Sequence, residues 1–129
     1  MFTNVKEAGI EQLIVDYLVN TNGYELGENK DYNPEFAVDE TRLFRFLKTT
    51  QPKEWDSLNL DRSDHEKNRF LSRIQGEISR RSIVNVLRNG VKHYPVSLRL
   101  FMPYPSEQNP AAQERYQQNI FSVTRQLRY

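Results

Sequence analysis

The chain has 129 residues, 37% apolar, 27% charged and 12% aromatic, which is one domain's worth of chain, polar but too aromatic to read as disordered. Zero cysteines exclude a disulfide scaffold, a thiolate nucleophile and a cysteine zinc site, and His65 and His93 are too few for most histidine metal sites. No apolar run approaches the ~18–20 residues of a membrane helix, and the opening MFTNVKEAGI lacks the basic and apolar regions of a signal peptide, so a single cytoplasmic domain over 1–129 without a membrane partner is expected.

In chain order, a first helix is expected from about Val5 to Asn20. Asn4 and Glu7 fit a capping box, and Ile10, Leu13, Ile14, Tyr17 and Leu18 form the apolar stripe. Gly23 suits its stop. Tyr24-Glu25-Leu26 reads as a short strand and 27–38 as a loop. Asp39 caps a second helix bearing Leu43, Phe44, Phe46 and Leu47, which Gln51-Pro52 breaks before a helical turn over Lys53–Leu58. Ser63 and Glu66 open a third helix, to about Ser79, with Phe70, Leu71, Ile74 and Ile78 on its apolar face. A short helix follows over Ser82–Arg88, and Gly90 stops it. Pro95–Met102 alternates, with Val96, Leu98, Leu100 and Met102 on one side, and is expected to be a half-buried strand. Asn109-Pro110 starts a helix over 110–118. Ile120–Tyr129 alternates again, with Phe121, Val123, Leu127 and Tyr129 on one face and Arg125 as its polar exception.

These elements give an α+β fold, with helices packed on a small, mainly antiparallel sheet. The chain stops inside its most convincing strand, and a two-stranded sheet is marginal. Further strands are therefore expected in a longer parent; the alternative is a short protein with a C-terminal edge strand.

Charge is split between the halves. Residues 1–65 carry 7 basic and 13 acidic side chains, and 66–129 carry 11 and 4. Such asymmetry suits an anion-binding face, or simply two halves that attract each other or solvated helix faces. Arg80, Arg81, Arg88, Lys92, Arg99, Arg125 and Arg128 supply the basic side, interleaved with Tyr and Phe. Phosphate contacts from them would give affinity rather than sequence readout. The five glycines are scattered, so no phosphate-cradling loop is present. His65 is expected to face solvent in a helix's first turn, and His93 to lie in a loop. Neither is expected to be catalytic. Glu7 and Glu11 share a helix face at the edge of the apolar stripe. A carboxylate there can help hold a hard divalent cation; a capping Glu7 and a solvated Glu11 are the simpler account.

Three blocks resemble the N-terminal region of the R (restriction) subunit of type I restriction enzymes. They are Ile10–Ile14 running to Asn22-Gly23-Tyr24-Glu25, then Leu43–Trp55 with its Thr-Gln-Pro, then Val86–His93 with Asn109-Pro110 and Asn119–Tyr129. Together they span nearly the whole chain in matching order. The resemblance implies the first part of a restriction-endonuclease-like domain of the PD-(D/E)xK type. Its parent would translocate double-stranded DNA with ATP, cut it with Mg2+, and work with M (methyltransferase) and S (specificity) subunits. Glu11 matches the family's helix glutamate and would be an auxiliary, peripheral metal ligand. Lys92, Arg99, Arg125 and Arg128 are the candidate DNA contacts. The family's Asp and Glu-x-Lys follow the strand written here as QLRY, and this sequence supplies neither after it. The 129 residues are therefore expected to bind no cofactor and to cut no DNA alone. The alternatives are a non-catalytic DNA-binding or subunit-docking module, or a small stand-alone interaction protein.

Overall fold

A computed structural model describes residues 2–105 and 109–125, with side chains from residue 9 onward. The fold is α+β and mostly helical. In chain order it comprises α1 (Phe2–Asn20), β1 (Glu25–Gly27), β2 (Tyr32–Asn33), β3 (Val38–Asp39), α2 (Glu40–Thr50), α3 (Pro52–Leu58), α4 (Asp64–Arg81), α5 (Ile83–Asn89), β4 (Val91–His93), β5 (Val96–Leu98), α6 (Pro110–Gln117) and β6 (Ser122–Thr124).

Caps fix where most helices begin. Asp39, Ser63, Ser82 and Asn109 each accept a hydrogen bond from the backbone N–H three residues on, at 3.0–3.3 Å. Pro52 and Pro110 stand in the first turns of α3 and α6, where a missing N–H costs nothing. The expected boundaries of α2 to α6 hold to within about two residues. At α1 they do not. The helix already includes Phe2, so Asn4 lies inside it rather than at its cap; the Glu7 side chain lies outside the described ones.

Among the described residues the strands form three two-stranded ladders rather than one sheet. β2–β3 and β4–β5 are antiparallel, and β1–β6 is parallel, with Leu26 opposite Val123. The expected strand over 95–102 is paired only at Val96–Leu98. Its partner Val91–His93, where only a loop at His93 was expected, is part of the same hairpin. The expected loop at 27–38 contains a 3-10 turn and the small β2–β3 ladder. Of the last expected strand, 122–124 is observed, and Leu127, Arg128 and Tyr129 lie outside the described residues.

The core lies between α2, α3, α4 and the extended 96–102 segment. Leu47, Phe70 and Leu71 are its most buried side chains, joined by Phe46, Ile74, Leu98 and Met102. Beyond β5, side-chain amides replace a neighbouring strand. Gln51 accepts from the Arg99 N–H at 2.7 Å and donates to its carbonyl at 2.9 Å. Asn119 does the same for Met102, at 2.8 Å each way. The Thr-Gln-Pro block thus ends α2, starts α3 and pins the extended segment.

α1 packs on β1 and β6 through Val15, which is buried, and the half-buried Glu11, Leu18 and Val19. The stripe expected inside is mostly outside: Ile10, Leu13, Ile14 and Tyr17 are 55–70% exposed. The helix is apolar on two adjacent faces, so its period alone did not select the buried one.

Candidate nucleic-acid interface

Between α4 and the β4–β5 hairpin runs an open groove of roughly 1090 Å3. α4 contributes His65, Arg69, Arg73, Gly76 and Arg80, and the hairpin contributes Lys92, His93 and Tyr94. The α4 side chains recur at the three- and four-residue intervals that stack on one helix face. From Arg69 to Arg80 the helix rises about 16 Å. The opposite face of α4 carries Phe70, Leu71 and Ile74 into the core, which fixes the basic face toward the groove.

Glu77 organises this surface. It is 4% exposed and meets three guanidiniums, from Arg80 at 2.7 Å, Arg81 at 3.1 Å and Arg73 at 3.2 Å. Hydrogen bonds from Arg81 and Arg80 hold its carboxyl below the usual carboxylate range. One anion among three cations leaves the cluster positive. Arg73 also donates from Nε to the Lys92 carbonyl at 3.0 Å, so the helix holds the hairpin directly. Arg69 is more loosely engaged, 3.5 Å from Glu66 and 58% exposed.

His93 is in strand β4, not in a loop. It is half-buried and meets the ring of Phe70 edge-on at 5.5 Å. Burial, and then the charges of Arg69 and Arg73, push its pKa down, so it favours the neutral form. His65 is exposed, as expected, at the start of α4.

The sequence-selected residues are dispersed. Lys92 lines the groove. Arg99 lines a separate depression with Val84, Leu87, Arg88, Phe101 and Tyr104. Arg125, one residue past β6, donates from Nε to Glu11 at 3.0 Å and also to the Gln12 side chain. Arg128 lies outside the described residues. Arg69, Arg73 and Glu77 were not selected from the sequence, although the four-residue spacing of Arg69, Arg73, Glu77 and Arg81 is visible there.

Glu11 is thus ion-paired, and Arg125 occupies one of its oxygens. Among the described residues no three His, Asp or Glu side chains are grouped to hold a metal ion. Magnesium takes a near-octahedral set of oxygens, which Glu11 by itself does not offer. The chain's single Glu-x-Lys spacing, Glu28-Asn29-Lys30, lies at a 3-10 turn rather than on a strand, and its ends form an exposed 3.2 Å ion pair. Among the described residues no helix is long and apolar enough to cross a membrane. Comparisons with protein-family models, curated proteins and solved structures give no match.

Proposed function

We propose that this chain is the N-terminal part of the R subunit of a type I restriction enzyme and that it contacts the double-stranded DNA which the complete subunit moves and cuts. The observation that carries the DNA reading is the groove in which Arg69, Arg73, Arg80 and Lys92 face one open channel. Cations held in a row along about 16 Å of helix suit the phosphates of one strand, spaced about 3.4 Å along the duplex axis. The three-block resemblance carries the family reading. Glu11 beside Arg125 supports it, because the helix glutamate lies next to the end of β6, after which the family's metal-holding carboxylates would come. ATP, Mg2+ and the M and S subunits belong to the complete subunit in this reading.

Phosphate contacts release counterions, so binding must weaken with salt. Duplex binding by the chain is measured by fluorescence anisotropy across a salt series. Arg69→Ala and Lys92→Ala should each lower the slope of log K against log salt by about 0.9. Binding indifferent to both substitutions and to salt would refute the DNA reading. The 129 residues should leave plasmid DNA intact in magnesium; cutting that disappears in Glu11→Ala would show a complete nuclease site instead.

A second reading, a docking module for the M subunit, is favoured by the exposed stripe of Ile10, Leu13, Ile14 and Tyr17 on α1. Binding of the M subunit that is lost in Leu13→Glu, with DNA affinity unchanged, would select it.

A further inference from the structure

The groove contains an aromatic side chain that the interior does not account for. Tyr94 sits in the two-residue turn of the β4–β5 hairpin and is 95% exposed. Its neighbours on either side are held in place. His93 is seated against Phe70, the Lys92 carbonyl is held by Arg73, and Val96 pairs with His93 across the turn. At the other end of β4, Gly90 lets the hairpin close. Its φ is +74° and a Cβ there would stand 2.3 Å from the Leu98 carbonyl oxygen. The hairpin is therefore a firm mount that presents one aromatic ring beside a line of cations.

Gly76 is a second feature without an internal cause. A glycine inside a helix is destabilising by about 1 kcal/mol relative to alanine. Yet a Cβ at Gly76 would meet nothing within 4 Å. No packing contact requires the glycine, and it lies in the groove wall between Arg73 and Arg80. The groove wall there carries no side chain.

A positive channel that follows a phosphate backbone, with an aromatic ring at its side, is the arrangement by which proteins hold single-stranded nucleic acid. Every base has a face to stack on, so the contact does not depend on sequence. In an intact duplex the faces are covered by their neighbours. We infer that Tyr94 stacks on an unpaired base while Arg69, Arg80 and Lys92 hold the adjoining phosphates, so that the groove, which holds duplex by its phosphates, gains a further contact wherever the bases are unpaired. This rests on the DNA-binding reading and adds to it the state of the DNA that gives the further contact.

The test uses the whole chain with an oligothymidylate and a duplex of the same length. Tyr94→Ala should weaken single-strand binding about tenfold, within the range measured for removal of a stacked aromatic, and weaken duplex binding by clearly less. Tyr94→Phe keeps the ring without the hydroxyl and should bind like the parent. A 2-aminopurine placed in the single strand should lose fluorescence on binding to the parent and to Tyr94→Phe, but not to Tyr94→Ala. Equal single-strand affinity for the parent and Tyr94→Ala overturns the inference. So does a loss in Tyr94→Phe as large as in Tyr94→Ala, which would assign the effect to the hydroxyl. If Arg69→Ala and Lys92→Ala weaken binding while Tyr94→Ala does not, the stacking inference fails and the DNA reading stands. If none of the three matters, both fail.

Discussion

Replacing Asn119 by alanine removes two hydrogen bonds at once, both to the backbone of Met102, which is 5% exposed. Each bond is worth about 0.5–1.5 kcal/mol net, and a buried group left without a partner costs about 1–3 kcal/mol. Asn119 is itself only half-buried, so water reaches part of the vacated space and the lower end applies. The expected loss is about 2–3 kcal/mol, a large share of the roughly 5–15 kcal/mol that holds a domain together. Gln51 makes the same pair of bonds to Arg99, but Arg99 is exposed. Water replaces the amide there, and Gln51→Ala should cost about 1 kcal/mol. Urea unfolding followed by far-UV circular dichroism measures both. With a slope of about 1–3 kcal/mol per M, Asn119→Ala should lower the midpoint by about 1 M and Gln51→Ala by less than half as much, with unchanged slopes. Equal losses in the two variants would refute the argument, because the paired bonds to the backbone are the same, Gln51 has a further one to the Thr50 hydroxyl at 3.0 Å, and access to water is what favours Gln51→Ala. Asn119→Asp adds a check. It keeps the acceptor for the Met102 N–H and turns a second oxygen toward the Met102 carbonyl, so it should be no more stable than the alanine variant.

Gly90→Ala should destabilise the chain by more than about 1 kcal/mol, seen as a lower melting temperature, since φ is +74° and the new Cβ meets a backbone oxygen rather than a movable side chain. Gly76→Ala should do the reverse, stabilising by about 0.5–1 kcal/mol; a lower melting temperature would show that this glycine has a packing role. Acid should also weaken the fold. The Asp31 carboxyl is held below its ordinary range by the hydrogen bond from Arg42 at 2.9 Å and then by the Glu28 N–H. A carboxyl with a depressed folded pKa stabilises at pH values above its unfolded pKa, near 4, and that stabilisation is lost as pH falls through the lower folded value. The urea midpoint should therefore fall below about pH 4 and fall less steeply in Asp31→Asn; identical pH profiles would remove Asp31 from the account. His93, whose folded pKa is depressed, adds a loss that starts on acidification below its unfolded value of about 6.5, and His93→Phe should remove it.

Local chemistry determined the helical half of this protein. A side-chain oxygen placed three residues before an orphan N–H marks a helix start wherever it occurs. Asp39, Ser63 and Asn109 therefore announced α2, α4 and α6, and the amphipathic face of α4 announced Phe70, Leu71 and Ile74 as core. The alternation of Val96, Leu98, Leu100 and Met102 correctly gave their inward side. Tertiary contacts decided what those rules leave open. α1 has apolar residues on two adjacent faces, and only the position of β1 and β6 selected Val15 over Ile14 for burial. The ladders are two or three residues long, too short for a periodic signal, so β4 was hidden and 99–102 took its hydrogen bonds from Gln51 and Asn119, a residue type and distance in sequence that no strand pattern encodes. The basic groove shows the same division. The excess of cations in the second half is written in the sequence. Which of them share a surface depends on α4 lying against the β4–β5 hairpin, which joins Lys92 to Arg69 and Arg73 and leaves Arg99 and Arg125 elsewhere. Charge is a property of residues, but an interface is a property of the distances between them, and those are set by packing.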